Sequence, residues 1–552
     1  MTTRIAVLGG GISGLSAAFY LSRLVPETTK IVLIEGSDRA GGWIRSQRVS
    51  PGTYLSTPND NTPQNPEDVL LEVGPRSLRP VGPGGTIVLD MISQLNLQPE
   101  VMSVPKTDPS AKNRYIYYDD QINTLPSSLP SLLFKPSPPV FKSVIQSIVN
   151  EFHAPPGSAD WAHDVDADES LYSFVERRFN RHVALNLVGA ITHGVYAGDA
   201  KNLSVKSTFR VLCENEKVHG SVVKGMIKGG VDLQTANDKK MVRECLENPG
   251  STEQQKTWIQ DMAGQSVIGF KNGTETLTKS LRDWLVNQPN VELVTGEQVS
   301  SVELTSSNNE CKVTTTKGTH FADHVISTLP ANVLDKVLAK TPLMHLKETP
   351  GVDVGVVNLV YDPYTVQLPY DGFGFLTPHP DSDYKLPVPG TLGVVFDSNA
   401  MRGQDQKQNQ ANSVGGGEDP VKMTVMIGGH QWQKTFGGRS VGQVSPDEVL
   451  EYAQKGVQTY LGIDANPTHK MANVLSSCIP QYRVGHEARL RQLDRQTSDL
   501  YRGRLSLAGA SYLGVSVPDC IKNSRELAEN LVRSSIFGHS KLVTGLERIR
   551  VP

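Results

Sequence analysis

Four consecutive apolar residues, Ile5, Ala6, Val7 and Leu8, read as a short buried strand. Gly9-Gly10-Gly11-Ile12-Ser13-Gly14 follows, and an apolar helix runs from Leu15 to about Leu24. A second strand, KIVLIE, spans Lys30–Glu35 and completes a βαβ start. Residues 86–97 have a helical pattern. A Pro-rich stretch from Leu125 to Pro139 precedes a predicted amphipathic helix. There Val140, Phe141, Val144, Ile145, Ile148, Val149 and Phe152 fall on one face at helical spacing. Residues 170–260 are mostly helical in pattern, and strands return near 291–295, 311–316 and 324–328. Segments 352–361 and 421–428 are β-rich, 504–510 is a last strand, and Cys520–Phe537 a last helix. Residues 50–70 read as a surface loop with an insertion at 53–66, and the polar run 402–420 as a disordered insertion. No internal repeat is visible.

Length changes this picture first. A chain of 552 residues exceeds one core and predicts two or three domains. The net charge of -3 argues against a nucleic-acid partner. Five cysteines, an odd number without a C-x-x-C pair, predict neither a disulfide framework nor a zinc site, and no metal is expected. No apolar run approaches the ~18 residues of a transmembrane helix. No signal peptide or transit helix is read at the N-terminus, because a strand begins almost at once.

Gly9, Gly11 and Gly14 form a G-x-G-x-x-G turn between strand and helix. The first glycine permits the tight turn, the second lets a pyrophosphate approach the backbone, and the third lets helix and strand pack closely. The helix N-terminus then faces the phosphates. Glu35 closes the second strand, where it can accept hydrogen bonds from ribose hydroxyls and would repel a 2′-phosphate. The cradle thus comprises Gly9, Gly10, Gly11, Ile12, Ser13, Gly14, Glu35 and Gly36.

The run from Ser37 to Arg45 contains Arg39-Ala40-Gly41-Gly42-Trp43. It resembles the R-x-G-G motif of the flavin superfamily that includes monoamine oxidases, phytoene desaturases and protoporphyrinogen oxidases. Val325–Pro330 and Leu505–Ser511 resemble two later strands of that superfamily's FAD domain. Eight segments, from GGGISGLSAAFYLSR through EVGPRSLRP, NRYIYYDD, HGVYAGDAKNLS and GFGFL to LAGASYLGVSVPDCI, occur in the order of the protoporphyrinogen oxidase family. They span almost the whole chain. Two departures stand out: Asn272-Gly273 and Asn523-Ser524 where the family often has Gly-Gly and Ser-Gly.

The resemblance implies an α/β protein. Its parts are a discontinuous Rossmann-like FAD-binding domain, an α+β substrate domain and a mostly helical membrane-associating domain. Segments 1–90, 216–330 and 479–552 would form the first, 331–478 the second, and 91–215 a helical membrane-associating and substrate region. It implies noncovalent FAD, held further by Gly42, Trp43, the turn Gly74-Pro75-Arg76-Ser77, Val299 at the adenine end, and Ala510, Val515 and Val517 at the flavin ring. It implies protoporphyrinogen IX and O2 as substrates, with hydride passing to the flavin and no dedicated catalytic side chain. Arg114 would bind a propionate, Phe373 and Leu376 would sandwich the macrocycle, Met426 would wall the pocket, and Gly194 would offer its carbonyl. His193 reads as a structural histidine. The family's residence is the mitochondrial inner membrane, bound monotopically. A homodimer and haem-pathway partner enzymes stay open. The alternatives are an amine oxidase or desaturase of the same superfamily, or a non-catalytic binding protein on that fold.

Overall fold

The strand Arg4–Leu8 lies at the centre of a five-stranded parallel sheet, which explains its uninterrupted apolar sequence. Lys30–Ile34 pairs on one side with Val291–Val294 beyond it; His324–Ser327 and then Leu505–Leu507 lie on the other. The strand order reverses direction at Arg4–Leu8, so the carboxyl end of that strand is a switch point, where ligands of open α/β sheets bind. The computed structural model describes residues 3–56, 68–126, 138–155, 164–305, 310–405 and 419–550. The insertion expected at 402–420 lies outside the described residues from 406 to 418, and that at 53–66 from 57 onward.

One face of this sheet carries the helices Ile12–Leu24, Gly82–Gln94 and Val517–Val532, with Ala236–Leu246 and Glu253–Ala263 packed behind. Their shared core holds Phe19, Ile87, Met91, Ile521 and Leu527, each less than 3% exposed. The other face is covered by the antiparallel meander Val299–Leu304, Cys311–Thr315 and Thr319–Ala322, whose Val302 and Val313 pack on Leu8 and Val325. Three distant stretches of chain therefore build one layer.

A second sheet has eight strands in the order Tyr54–Leu55, His469–Pro480, Gly351–Tyr361, Val421–Gly429, Thr391–Val395, Gly374–Leu376, Tyr115–Tyr118, Gln121–Thr124. Its last two strands come from the segment 91–215. A third unit is a helical cluster around Val144, Phe174, Val183, Val205 and Cys213. It runs past residue 215 and includes Val222, so the helices Arg210–His219 and Val222–Ile227 pack here rather than on the parallel sheet.

The predicted amphipathic helix is divided. Val140 and Phe141 lie in a single turn, Ser143 adopts φ 66, and the helix proper spans Val144–His153. Its buried positions are Val144, Ser147 and Glu151, while Ile145, Val149 and Phe152 are 40%, 48% and 37% exposed. The face expected to be continuous is thus split between core and surface. The reason is Glu151, whose carboxylate takes the inward position. It accepts hydrogen bonds from Arg178 Nε (2.9 Å), Ser221 Oγ (2.7 Å) and the backbone N–H groups of Val222 (2.8 Å) and Val223 (3.1 Å). Those two amides open the helix Val222–Ile227, so the carboxylate also meets its positive end. Among the described residues no helix is long and apolar enough to cross a membrane.

Glu151 and Arg178 are both buried, so removing either partner leaves an uncompensated charge. Glu151→Ala should destabilise the helical cluster by about 3–5 kcal/mol. Thermal unfolding followed by circular dichroism checks this; an unchanged midpoint contradicts it.

Candidate cofactor and substrate site

The cradle at the switch point is built by close backbone approach. Gly9 has φ 98, its N–H donates to Ile34 O (2.8 Å), and Thr328 Oγ1 donates to Leu8 O (2.8 Å). A Cβ on Gly14 would lie 1.9 Å from Gly9 O, so only glycine lets the helix start this near the strand. Gly11 differs. It is extended at φ -72, and the nearest atom to an added Cβ is Gly42 Cα at 3.9 Å, so its open side faces space. The helix Ile12–Leu24 has no side-chain cap and no acid in its first turn. Its first amides are thereby left for an anion.

Glu35 accepts from Gly10 N (2.6 Å) and from Ser37 N (2.8 Å) and Oγ (2.7 Å). Its carboxylate is held in place and keeps acceptor capacity for sugar hydroxyls. Gly36 backs onto Gln298, which brings Val299 to the same end of the cradle. Gly41 pairs with Gly11, and Gly42, at φ 59, closes over it. The R-x-G-G arginine is engaged by the protein itself. Arg39 is committed to Gly42 O (2.7 Å), Ile44 O (3.2 Å) and Glu275 (3.0 Å), and so folds the loop that the glycines then present.

The later segments converge on this loop. A Cβ on Gly74 would meet Trp43 O at 2.2 Å, which sets the turn Gly74-Pro75-Arg76-Ser77 against Trp43. At the C-terminal end, Ser524 Oγ donates to Ser13 O (2.9 Å) and draws the helix that begins at Val517 onto the cradle helix. The departure Asn523-Ser524 is therefore a working anchor. Tyr482 donates to Ala510 O and accepts from Gly514 N (2.9 Å), which holds the loop carrying Ala510 and Val515. Tyr482 ends the run Cys478-Ile479-Pro480-Gln481-Tyr482, another of the eight segments, yet its loop-holding role has no signature in the sequence.

The residues expected at the substrate lie on or beside the second sheet. Leu376 pairs with Gly393, Gly393 with Met426, and Met426 with Val356. Paired residues share a face, so these four form one apolar row. Gly194, from the helix Gly189–Tyr196, stands against it: a Cβ there would meet Leu376 Cδ2 at 2.9 Å. Gly393 is absent from the residues expected from the sequence; a Cβ there would meet Phe375 O at 2.6 Å and Leu376 Cδ2 at 3.0 Å, so a glycine is what lets these two strands and the Leu376 side chain pack together.

Arg114 precedes the strand Tyr115–Tyr118. Its guanidinium donates to Ser110 O (2.7 Å) and stacks on Phe373 at 5.5 Å, and no carboxylate pairs with it among the described residues. Burial, and then the charge of Arg79, hold its pKa below the ordinary arginine value. A half-buried cation beside a second cation calls for an anion. Arg79 falls in a quoted segment but shows its significance only in three dimensions. His193 is fully buried and bonded on both ring nitrogens, to Thr377 O and His430, each at 2.9 Å.

The two halves are wired together. Arg76 of the cofactor turn pairs with Asp397 at 3.0 Å, and the Thr424 hydroxyl lies 2.6 Å from the same carboxylate. Thr424 sits two residues before Met426 on its strand. The cradle fits the pyrophosphate and adenosine of a flavin dinucleotide; the apolar row continues from Leu376 to its partner Ile116, and with Arg114 two residues before Ile116 it fits a large apolar anion.

Residues 12–532 match the family described as flavin containing amine oxidoreductase. Protoporphyrinogen oxidase of Homo sapiens is 34% identical over 536 residues, covering 96% of this chain and 99% of that one. Protoporphyrinogen oxidase of Schizosaccharomyces pombe is also 34% identical, covering 96% and 98%. A structure from Exiguobacterium sp. 255-15, provisionally assigned as a protoporphyrinogen oxidase, superposes with a TM-score of 0.70 at 19% identity, covering 96% and 99%.

The glycines make a paired prediction. Gly11→Ala should fold normally, since its Cβ has room, but lose bound flavin because that space is where a phosphate would come. Gly14→Ala should disturb the fold itself. Visible flavin absorption against circular dichroism separates the two; a Gly11→Ala protein that keeps its flavin contradicts the cradle assignment.

Proposed function

This chain belongs to the flavin-containing amine oxidoreductase family, and we propose that it oxidises protoporphyrinogen IX to protoporphyrin IX with O2 as acceptor. The overall change removes six electrons in three two-electron steps and yields three H2O2. When bound, FAD, held here without a covalent bond, supplies the hydride-accepting chemistry. The residues of this chain bind and orient. Leu376, Gly393, Met426 and Val356 offer a flat apolar wall for the macrocycle, and Gly194 limits its thickness.

The observation that carries the reading is Arg114. The substrate is hydrocarbon and pyrrole apart from its propionates, so an apolar wall alone would accept it in several rotations. One fixed guanidinium selects a rotation, and Arg114 Cζ lies over the Phe373 ring at 5.5 Å from its centroid. An amine substrate is the wrong charge for this end of the site, since Arg114 and Arg79 would repel it. That argues against the amine oxidase alternative.

The reading extends to a membrane surface, the inner mitochondrial membrane by analogy with the family. Its support is the outward stripe Ile145, Val149 and Phe152, with Met226 and Ile227 exposed on the adjoining helix. Lys224 lies 4.9 Å over the Phe152 ring, a cation placed where lipid headgroups would be. An in-plane apolar stripe flanked by basic charge suits monotopic binding.

Two outcomes test this. Arg114→Ala should lower kcat/KM for protoporphyrinogen about 10- to 100-fold, the loss of a charge-assisted pair of about 1.5–3 kcal/mol. Flavin content should not change, and Arg114→Lys should recover only part. Unchanged kcat/KM removes Arg114 from the site. Separately, Val149→Glu with Phe152→Glu should abolish sedimentation with anionic liposomes; equal sedimentation of both proteins contradicts the membrane contact.

A further inference from the structure

Beside the apolar wall lies a cluster that the proposed reaction does not use. Asp199, His379 and His430 each offer a ligand atom, and the three atoms lie within 4.8 Å of one another. The imidazoles of His193, His379 and His430 are stacked, with ring centroids 5.1 to 6.4 Å apart. Among the described residues this is the one such group of metal-ligating side chains. The cysteine count, from which no zinc site was expected, carries no information about it.

Hydrogen bonds fix which nitrogens carry protons. Thr377 O is an acceptor only, so His193 donates through Nδ1 and presents a lone pair at Nε2. His430 Nε2 lies 2.9 Å from that lone pair and must donate to it. His430 is then left with its lone pair on Nδ1. This is the arrangement in which a second group orients a metal-binding imidazole through its far nitrogen. The Asp199 carboxylate is held by Lys201 N (2.8 Å) and Asn202 Nδ2 (2.7 Å). His379 Nε2 faces Asp199 Oδ1 at 3.0 Å. Its Nδ1 accepts from Asp381 N at 3.1 Å, and a metal on Nε2 would move the ring proton to Nδ1 and break that bond. Asp381 is exposed, so its amide can turn to water at small cost.

The geometry points to a divalent-cation site of the zinc class, formed by Asp199, His379 and His430, with His193 as the positioning residue. Two imidazoles and a carboxylate suit a borderline ion and leave a fourth position for water. Tetrahedral ligands at zinc stand about 3.3 Å apart, so the three side chains would draw together by small rotations. The ligands come from three different elements. Asp199 follows the helix of Gly194, His379 follows the strand of Leu376, and His430 follows the strand of Met426. A bound ion would therefore pin the three elements that form the proposed substrate wall. The site does not rest on the substrate assignment, because metal content is measured without turnover.

The test uses full-length, flavin-loaded protein stripped with chelator and dialysed against Zn2+ or Co2+. About one metal per chain is expected by mass spectrometry, with a cobalt d–d band of low coordination number. Asp199→Asn, nearly isosteric and partly exposed, should abolish stoichiometric binding while leaving flavin content intact. His193→Ala should weaken affinity about 10- to 100-fold. Metal below a tenth of an equivalent at saturating free ion overturns the site. So does unchanged binding in Asp199→Asn together with His379→Ala, which would place the ion elsewhere.

Discussion

Everything in this molecule depends on how closely one helix can approach one strand. Gly14 admits no Cβ, because Gly9 O occupies the space 1.9 Å away. That contact sets the uncapped first turn of Ile12–Leu24 at the carboxyl end of the central strand. Among the described residues no side chain caps the amides there, so they are available to phosphate. The later segments are arranged around this point: Gly41 and Gly42 fold over Gly11, and Ser524 ties the last helix to Ser13. A site assembled from chain ends so far apart requires the substrate sheet and helical cluster to be insertions between them.

Those insertions are fastened to the cofactor layer by polar contacts. Arg76, Asp397 and Thr424 connect the turn Gly74–Ser77 to the strand that carries Met426. Asn358 Nδ2 donates to Glu72 O at 3.1 Å from the neighbouring strand. Buried polar contacts of this sort add little net stability, but they are costly to misplace. They fix the register between the apolar row and the glycine cradle. The helical cluster follows the same rule at Glu151 and Arg178, where a buried ion pair forces the apolar residues of that helix outward.

The sequence made the cofactor layer legible because its signals are local. Strand, glycine turn, helix and acid lie within residues 4–35, and each has one structural meaning. The resemblance added the distant strands. Less was legible where tertiary context overrides a local pattern. The periodicity of Val140–Phe152 is real, yet it could not reveal that Glu151 claims the inward position. Arg39 belongs to a local motif, but its partner Glu275 lies 236 residues away. Gly393, Arg79 and the stacked histidines acquire meaning only through strand register and loop proximity, which no spacing along the chain encodes.

The central claim is that an apolar wall with the Arg114 and Arg79 cations beside it selects an apolar dianion and rejects a cation. The most direct measurement compares the two classes on the same flavin-loaded enzyme. Oxygen uptake and porphyrin fluorescence are followed with protoporphyrinogen IX, and oxygen uptake alone with primary and secondary amines. The account predicts fluorescence growing with peroxide for the porphyrinogen and no uptake above background for any amine. Turnover of an amine with no porphyrin formed would contradict it.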